Sequence, residues 1–107
     1  PAFAQPPQHV ATSQPLSPEK EREALSVPAG FEVQLVASEP DIDKPLQCAF
    51  DAKGRLWVTT TRHYPFAAPV GQGKDKLFVL SDFSDAGKAR KIEVFANDLN
   101  IPIGVLP

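Results

Sequence analysis

Cysteine, methionine, tryptophan and tyrosine are nearly absent from this sequence, with one Cys, no Met, one Trp and one Tyr in 107 residues. A single cysteine excludes an internal disulfide. It also excludes a CxxC redox pair and a CxxCH haem attachment in this chain. Cys48 lies among apolar neighbours that include Leu46 and Phe50. We therefore expect Cys48, and likewise Phe50 and Trp57, to be core residues.

An excess of charge of one sign is also lacking. Eleven Lys and Arg residues stand against 13 Asp and Glu, for a formal net charge of -2, and no basic cluster occurs. This balance gives no electrostatic reason to expect nucleic acid or an anionic membrane as a partner. No apolar run approaches the roughly 18 residues that a membrane-spanning helix needs. Glycine-rich phosphate loops, zinc-ligand spacings and Ser-His-Asp arrangements are absent from the sequence too.

Proline is abundant instead, and it marks the N-terminal segment. Residues 1–16 combine Pro with Gln, Ser and Thr, a composition that predicts a disordered leader. Ala2 and Ala4 have the spacing of a signal-peptide cleavage site before Gln5, so the segment resembles the end of a secretory signal and predicts a secreted, periplasmic or envelope protein. The alternative interpretation is a low-complexity tail. Residues 17–107 are predicted to be one structured unit.

A short helix is predicted directly after the leader, over residues 18–25. Ser17 can cap the helix, Pro18 suits its first position, and Glu19 suits the positive end of the helix dipole. Pro28 prevents the helix from continuing.

The remainder of the chain has the alternating pattern of β-strands. The predicted strands are 31–35, 46–50, 55–60, 76–80, 91–96 and 103–106. Asp51 to Gly54 forms a tight turn in which Gly54 can adopt a positive φ. Strands 55–60 and 76–80 carry bulky side chains on both faces, so they need packing partners above and below. The four predicted strands between residues 46 and 96 therefore indicate an all-β fold. They would form a four-stranded antiparallel sheet, one blade of a β-propeller.

Several sequence stretches resemble a known family. Residues 27–40 read VPAGFEVQLVASEP and are similar to the PPGFEVELVASEP opening of large secreted proteins of planctomycetes and related bacteria. These proteins are usually called membrane-bound dehydrogenases or haem-binding CxxCH proteins. The similarity continues through AFD at 49–51, GRLWV at 54–58, YP at 64–65, VFA at 94–96 and the residues from Leu99 to Pro107.

The resemblance implies a six-bladed propeller similar to soluble quinoprotein glucose and sorbosone dehydrogenases. This chain, an N-terminal fragment, would supply the first blade, the opening of the second, and a strand at 31–37 that closes the ring. The partners would be the remaining blades of the same protein and a sugar or polyol substrate. Pyrroloquinoline quinone and calcium would be cofactors of the full-length protein, with c-type haem only in modules outside this chain.

The candidate functional residues lie at one end of the predicted sheet. Because antiparallel strands alternate in direction, loop 61–75 and connection 97–102 lie at the same end, and in quinoprotein propellers this end holds cofactor and substrate. His63 is a candidate general base, and Arg62 and Tyr64 are further catalytic candidates. Arg62, as a partner for a carboxylate of the quinone, and Asn100 are candidates for cofactor binding. The alternative is that these residues begin a surface loop in which Tyr64 packs against the sheet.

A metal site is not predicted in this chain. Relatives carry an aspartate-rich D-x-D-G-D-G stretch able to hold calcium. Here Ser84 and Ala86 replace two of the acids between Asp82 and Gly87. The segment is therefore predicted to be a solvated turn.

Three functions are consistent with this pattern. The first is a quinone-dependent dehydrogenase of sugars or related alcohols. The second is a non-catalytic carbohydrate-binding or scaffolding propeller, since one fold hosts many functions. The third is a lactonase-type hydrolase, but it needs a carboxylate-lined calcium that this sequence does not supply.

Overall fold

A computed structural model describes residues 13–107. They form one helix and four strands: α1 (Pro18–Ala24), β1 (Pro45–Phe50), β2 (Leu56–Thr60), β3 (Asp75–Phe83) and β4 (Ala89–Leu99). This composition confirms a mostly β fold preceded by a short helix. The predicted cleavage site at Ala2, Ala4 and Gln5 lies outside the described residues.

Helix α1 begins as its sequence predicts. The Ser17 hydroxyl accepts a hydrogen bond from the Lys20 amide, and Pro18 occupies the first turn. The helix ends at Ala24, one residue before the predicted end, and none of its residues is buried. Within residues 13–107, no helix has the length and apolarity needed to cross a bilayer.

The four strands form one antiparallel sheet in the order β1-β2-β3-β4. Each strand follows its neighbour through a hairpin connection, as the sequence predicts. Register partners Cys48, Val58, Phe78 and Val94 form a row across all four strands. Since directly paired residues share a face of the sheet, this row defines one face, which we call the core face.

Asp51 fixes the hairpin turn between β1 and β2. Its carboxylate accepts hydrogen bonds from the Trp57 indole, the Arg55 side chain, and the amides of Lys53 and Arg55. The bond from Trp57 and then those from Arg55 and Lys53 lower the pKa of Asp51 well below its usual range, although partial desolvation raises it. Gly54 has a φ of 75° in this turn, which confirms its predicted role.

The hydrophobic core lies on the core face and is completed by a segment that is not a strand. Its buried residues are Ile42, Val58, Phe78, Leu80 and Ala89, with flanking contacts from Val36, Ala37, Leu56, Phe83 and Ile92. The residues from Val36 to Ile42 thus cover part of the sheet.

The predicted strand at 31–35, extended to 31–37 by the resemblance, is not a strand in this chain. Among residues 13–107, one backbone hydrogen bond joins it to the sheet, from the Ala89 N–H to the Val36 carbonyl at 2.9 Å. Val36 and Ala37 pack against the core, and residues 31–37 form no ladder with an edge strand of the described sheet. The alternation identified a half-buried extended segment but did not identify its partner.

The predicted strand at 103–106 is also absent. Residues 101–107 have no regular secondary structure, and Ile103 and Leu106 are exposed. In contrast, β3 and β4 are longer than predicted, because their pairing runs from Asp75 opposite Leu99 to Phe83 opposite Ala89.

The expectation that Cys48 and Phe50 are core residues is wrong. Cys48 is exposed, and Phe50 is 66% exposed. Both lie on edge strand β1, where their side chains remain open to solvent. Trp57 is half-buried on the opposite face, where its ring meets that of Phe95 edge-on at a centroid distance of 4.7 Å.

Leu80 gives a direct test of the core. Replacing the almost fully buried Leu80 by alanine removes apolar contacts and leaves a cavity, so we expect Leu80→Ala to lower the free energy of unfolding by about 2–5 kcal/mol. Denaturation followed by Trp57 fluorescence measures the change. The control is Val70→Ala at a fully exposed loop position. An equal effect of both substitutions would contradict the described core.

Candidate functional site at the loop end of the sheet

Two connections meet at one end of the sheet, which we call the loop end. They are the loop between β2 and β3, residues 61–74, and the turn after β4, residues 100–102. The four predicted candidates, Arg62, His63, Tyr64 and Asn100, all lie in these two connections. Their hydrogen bonds show what each side chain does in this arrangement.

The centre of the loop end is Asp75, the first residue of β3. This side chain is nearly inaccessible, with the residue 2% exposed. Its Oδ2 accepts from the Thr61 hydroxyl at 2.6 Å and the Ile101 N–H at 2.8 Å, and its Oδ1 accepts from the Arg62 N–H at 2.8 Å. One carboxylate therefore joins the start of the long loop, the start of β3 and the turn after β4.

The protonation state of Asp75 follows from these contacts. Burial raises the pKa of its carboxyl group, but the hydrogen bonds from Thr61, Ile101 and Arg62 outweigh this effect and hold the pKa below its ordinary value of 3.8. Asp75 is therefore ionised at neutral pH. It accepts hydrogen bonds from each donor and gives none.

Ile101 is held in an unusual backbone conformation. Its φ of 53° lies in the left-handed region, which is unfavourable for a β-branched residue. The hydrogen bond from its N–H to Asp75 compensates for this conformation. The turn that carries Asn100 is consequently fixed by the buried carboxylate.

Asn100 links the turn after β4 to the long loop between β2 and β3. Its side-chain oxygen accepts from the Ala68 N–H at 3.0 Å, and its side-chain NH₂ donates to the Ala68 carbonyl at 2.8 Å. The amide side chain thus imitates a backbone pairing between the two connections.

His63 closes the base of the same loop. Its Nε2 accepts a hydrogen bond from the Lys74 N–H at 3.1 Å, and its carbonyl accepts from the Phe66 N–H at 2.7 Å. An accepting Nε2 carries no proton, so the ring hydrogen is on Nδ1. To act as a base through Nε2, His63 would have to release the Lys74 amide.

Arg62 and Tyr64 point toward solvent. The Nε of Arg62 donates to the Asp43 carboxylate in an ion pair whose arginine side is largely exposed. The Tyr64 N–H donates to the Thr61 hydroxyl at 3.0 Å, while the residue is 59% exposed. In the alternative interpretation Tyr64 packs against the sheet, and this part of it is wrong.

Sequence reasoning missed Asp75, Thr61 and Asp43. An acid between two lysines, as in KDK at 74–76, has the pattern of a solvated stretch. One signal could have identified Asp75. It lies just before the apolar run LFVL, at the start of a strand that pairs with the threonines at the end of β2. Gly73 was also missed. It is buried, and a Cβ there would lie 2.8 Å from the Leu99 carbonyl carbon.

Metal-ligand geometry is not found in the described part of the chain. Among residues 13–107, no group of three or more His, Cys, Asp or Glu side chains is arranged to hold an ion. The segment between Asp82 and Gly87 is a turn in which the Ser84 N–H donates to the Lys88 carbonyl, and Asp82 lies 3.5 Å from Arg90.

Comparison with known proteins identifies a family without an assigned activity. The family described as "Domain of unknown function (DUF7133)" matches residues 17–107. No curated protein and no solved structure gives a significant match.

Replacing Asp75 by asparagine tests the centre of the loop end. The asparagine NH₂ cannot accept, so at least one buried donor loses its partner, and we expect Asp75→Asn to lower the free energy of unfolding by about 1–3 kcal/mol. Asp82→Asn, at an exposed ion pair, is the matched control. Equal stability of the Asp75→Asn variant and the parent protein would show that the carboxylate is not required.

The same substitution changes the pH dependence. A lowered folded-state pKa means that the Asp75 contribution is present above pH 3.8 and is lost as the pH falls below that value toward the folded-state pKa. Denaturation curves recorded between neutral and acidic pH should therefore converge for the parent and Asp75→Asn proteins at low pH.

Proposed function

The chain belongs to the DUF7133 family of domains of unknown function, and we propose that it supplies the first blade of a six-bladed β-propeller in a secreted, quinone-dependent dehydrogenase. The substrates of this dehydrogenase are sugars or related alcohols. The remaining blades of the same protein are the structural partners of this chain.

The observation that carries the proposal is the unsatisfied apolar surface of the sheet. The middle strands β2 and β3 are largely buried, yet Phe50 is 66% and Phe95 is 63% exposed. These two side chains lie on the edge strands β1 and β4. A stack of further sheets on both faces would cover such surface, and a propeller provides that stacking. The backbone groups of residues 32–35 have no ladder partner among the described residues, which suits a strand that completes another blade.

The loop end contributes position and charge in this proposal. The chemistry of oxidation belongs to the quinone when it is bound. Arg62 fits a contact with a quinone carboxylate, because its pair with Asp43 engages Nε and the terminal nitrogens remain for another acceptor. Asn100 fits such a contact less well, since its side chain already donates to and accepts from Ala68.

Calcium has no fitting site in the described residues of this chain. A calcium ion in the proposed enzyme would therefore be bound by other blades. The general base is placed there too, because the Nε2 of His63 is engaged by the Lys74 amide.

A non-catalytic carbohydrate-binding or scaffolding propeller is the second candidate function. The observation that favours it is the same use of His63 and Asn100 in loop structure. Side chains that stabilise a loop are required equally by a binding module and by an enzyme. Activity of the whole protein distinguishes the two functions.

Packing within a ring predicts the effect of charged residues on the exposed apolar surface. Phe50→Asp and Phe95→Asp should each lower the stability of the whole protein by about 2 kcal/mol or more, because stacked sheets would bury both rings. Val70→Asp in the exposed loop is the control. Denaturation measurements on the whole protein decide the question. Because Phe95 already contacts Trp57 within this chain, unchanged stability of Phe50→Asp alone would contradict the blade assignment.

The dehydrogenase activity predicts binding of pyrroloquinoline quinone. The whole protein, titrated with the quinone in the presence of calcium, should bind it saturably and should then reduce an electron-accepting dye when sugar is added. Absence of quinone binding would overturn the dehydrogenase proposal. Sugar binding without dye reduction would support the non-catalytic function.

A further inference from the structure

Three cationic side chains line one small cavity at the loop end. The cavity has a volume of about 290 Å³, and its walls are formed by Asp43, Thr60, Arg62, Lys74, Asp75 and Lys76. Thr60 and Lys76 are register partners across β2 and β3. Arg62 lies two residues beyond Thr60 and Lys74 two residues before Lys76, so the strand ends place the cations together.

Three cations and two carboxylates line the cavity, so the formal charge of its wall is +1. Both oxygens of Asp75 are occupied by Thr61, Arg62 and Ile101 donors in a buried position. Hydrogen-bonded in this way, Asp75 forms no ion pair with either neighbouring lysine among the described residues. Asp43 is therefore the one wall carboxylate that pairs with a cation.

The cations retain free hydrogen-bonding capacity. Arg62 contacts Asp43 through Nε, which leaves its terminal nitrogens, since a guanidinium has five donor hydrogens. Lys74 lies 3.8 Å from Asp98 in a pair exposed on both sides, and such pairs contribute little. The Nζ of Lys76 lies 5.9 Å from the Phe78 ring centroid, and Lys76 has no carboxylate within ion-pair distance in residues 13–107.

We propose that this cavity binds a small anion through its carboxylate or phosphate oxygens. The terminal nitrogens of Arg62 contact two oxygens of the anion, a geometry that suits the planar guanidinium. The ammonium groups of Lys74 and Lys76 neutralise the remaining charge. The cavity volume lies just below the usual range for sites of drug-sized ligands, so it suits a phosphate or a small dicarboxylate.

Asp43 competes with the anion for the guanidinium of Arg62. Its carboxylate occupies one edge of the same guanidinium that the anion uses. Removing the Asp43 charge should therefore tighten anion binding, whereas removing a cation should weaken it. General attraction between charges would give the same signs, so a specific site is distinguished by its insensitivity to a charge removed far from the cavity.

The experiment titrates the whole protein with inorganic phosphate and, separately, with succinate, by calorimetry at low ionic strength. We expect Lys76→Gln and Arg62→Gln each to weaken binding by about fivefold. Asp43→Asn should tighten binding by a similar factor. The control is Lys53→Gln, which removes one exposed lysine from the hairpin turn at the opposite end of the sheet and should leave binding unchanged.

The outcomes separate cleanly. Saturable binding of either probe with this order of affinities supports the site, and the probe that binds tighter identifies phosphate or carboxylate as the ligand chemistry. Lack of saturable binding, or equal affinity in all four variants, overturns the proposal. The site uses the same Arg62 nitrogens that we propose for a quinone carboxylate. Neither titration uses quinone or sugar, so failure of anion binding and failure of quinone binding are distinguishable.

Discussion

The arrangement of the loop end depends on one buried carboxylate. Asp75 accepts from Thr61 and Arg62 in one connection and from Ile101 in another. An ionised carboxylate without these donors would be costly to bury, so the donors and the acceptor require one another. The left-handed backbone of Ile101 persists because Asp75 engages its N–H. The hydrogen bonds of His63 and Asn100 then close a loop whose ends Asp75 has already fixed.

A second carboxylate, Asp51, organises the hairpin turn at the opposite end of the sheet. Asp51 gathers donors from Lys53, Arg55 and Trp57, all within six residues of it, and so forms a tight turn. Asp75 gathers donors from two distant connections and therefore supports a larger surface. Between these carboxylates the sheet is stabilised by apolar packing on the core face. A ligand site is accordingly more compatible with the loop end than with the tight turn.

Local patterns predicted much of the fold. The cap at Ser17, the turn at Gly54 and the buried middle strands each depend on residues close together in sequence. Burial of Cys48 and Phe50 was predicted wrongly, because the burial of an edge strand depends on which segment covers it. The alternation at 31–35 likewise indicates an exposed and a buried side but cannot identify a strand partner.

The centre of the candidate site was missed for a similar reason. The donors to Asp75 lie 13, 14 and 26 residues away, so neither its burial nor its hydrogen bonds can be read from the KDK stretch. The predicted candidates were placed at the correct end because strand direction alone determines that position. Their roles depended on contacts with Lys74, Ala68 and Asp43, which no short-range pattern encodes.

The polar side chains of the loop end divide by whether their hydrogen bonds are already made. His63 and Asn100 satisfy backbone groups of the long loop, and disturbing them would expose unpaired amides. The terminal nitrogens of Arg62 and the Nζ of Lys76 retain donors. Side chains whose hydrogen bonds are already made stabilise the loop, whereas side chains with free donors can bind a ligand. In the propeller that we propose, this blade therefore contributes positive charge on a rigid base, while proton transfer belongs to residues of other blades.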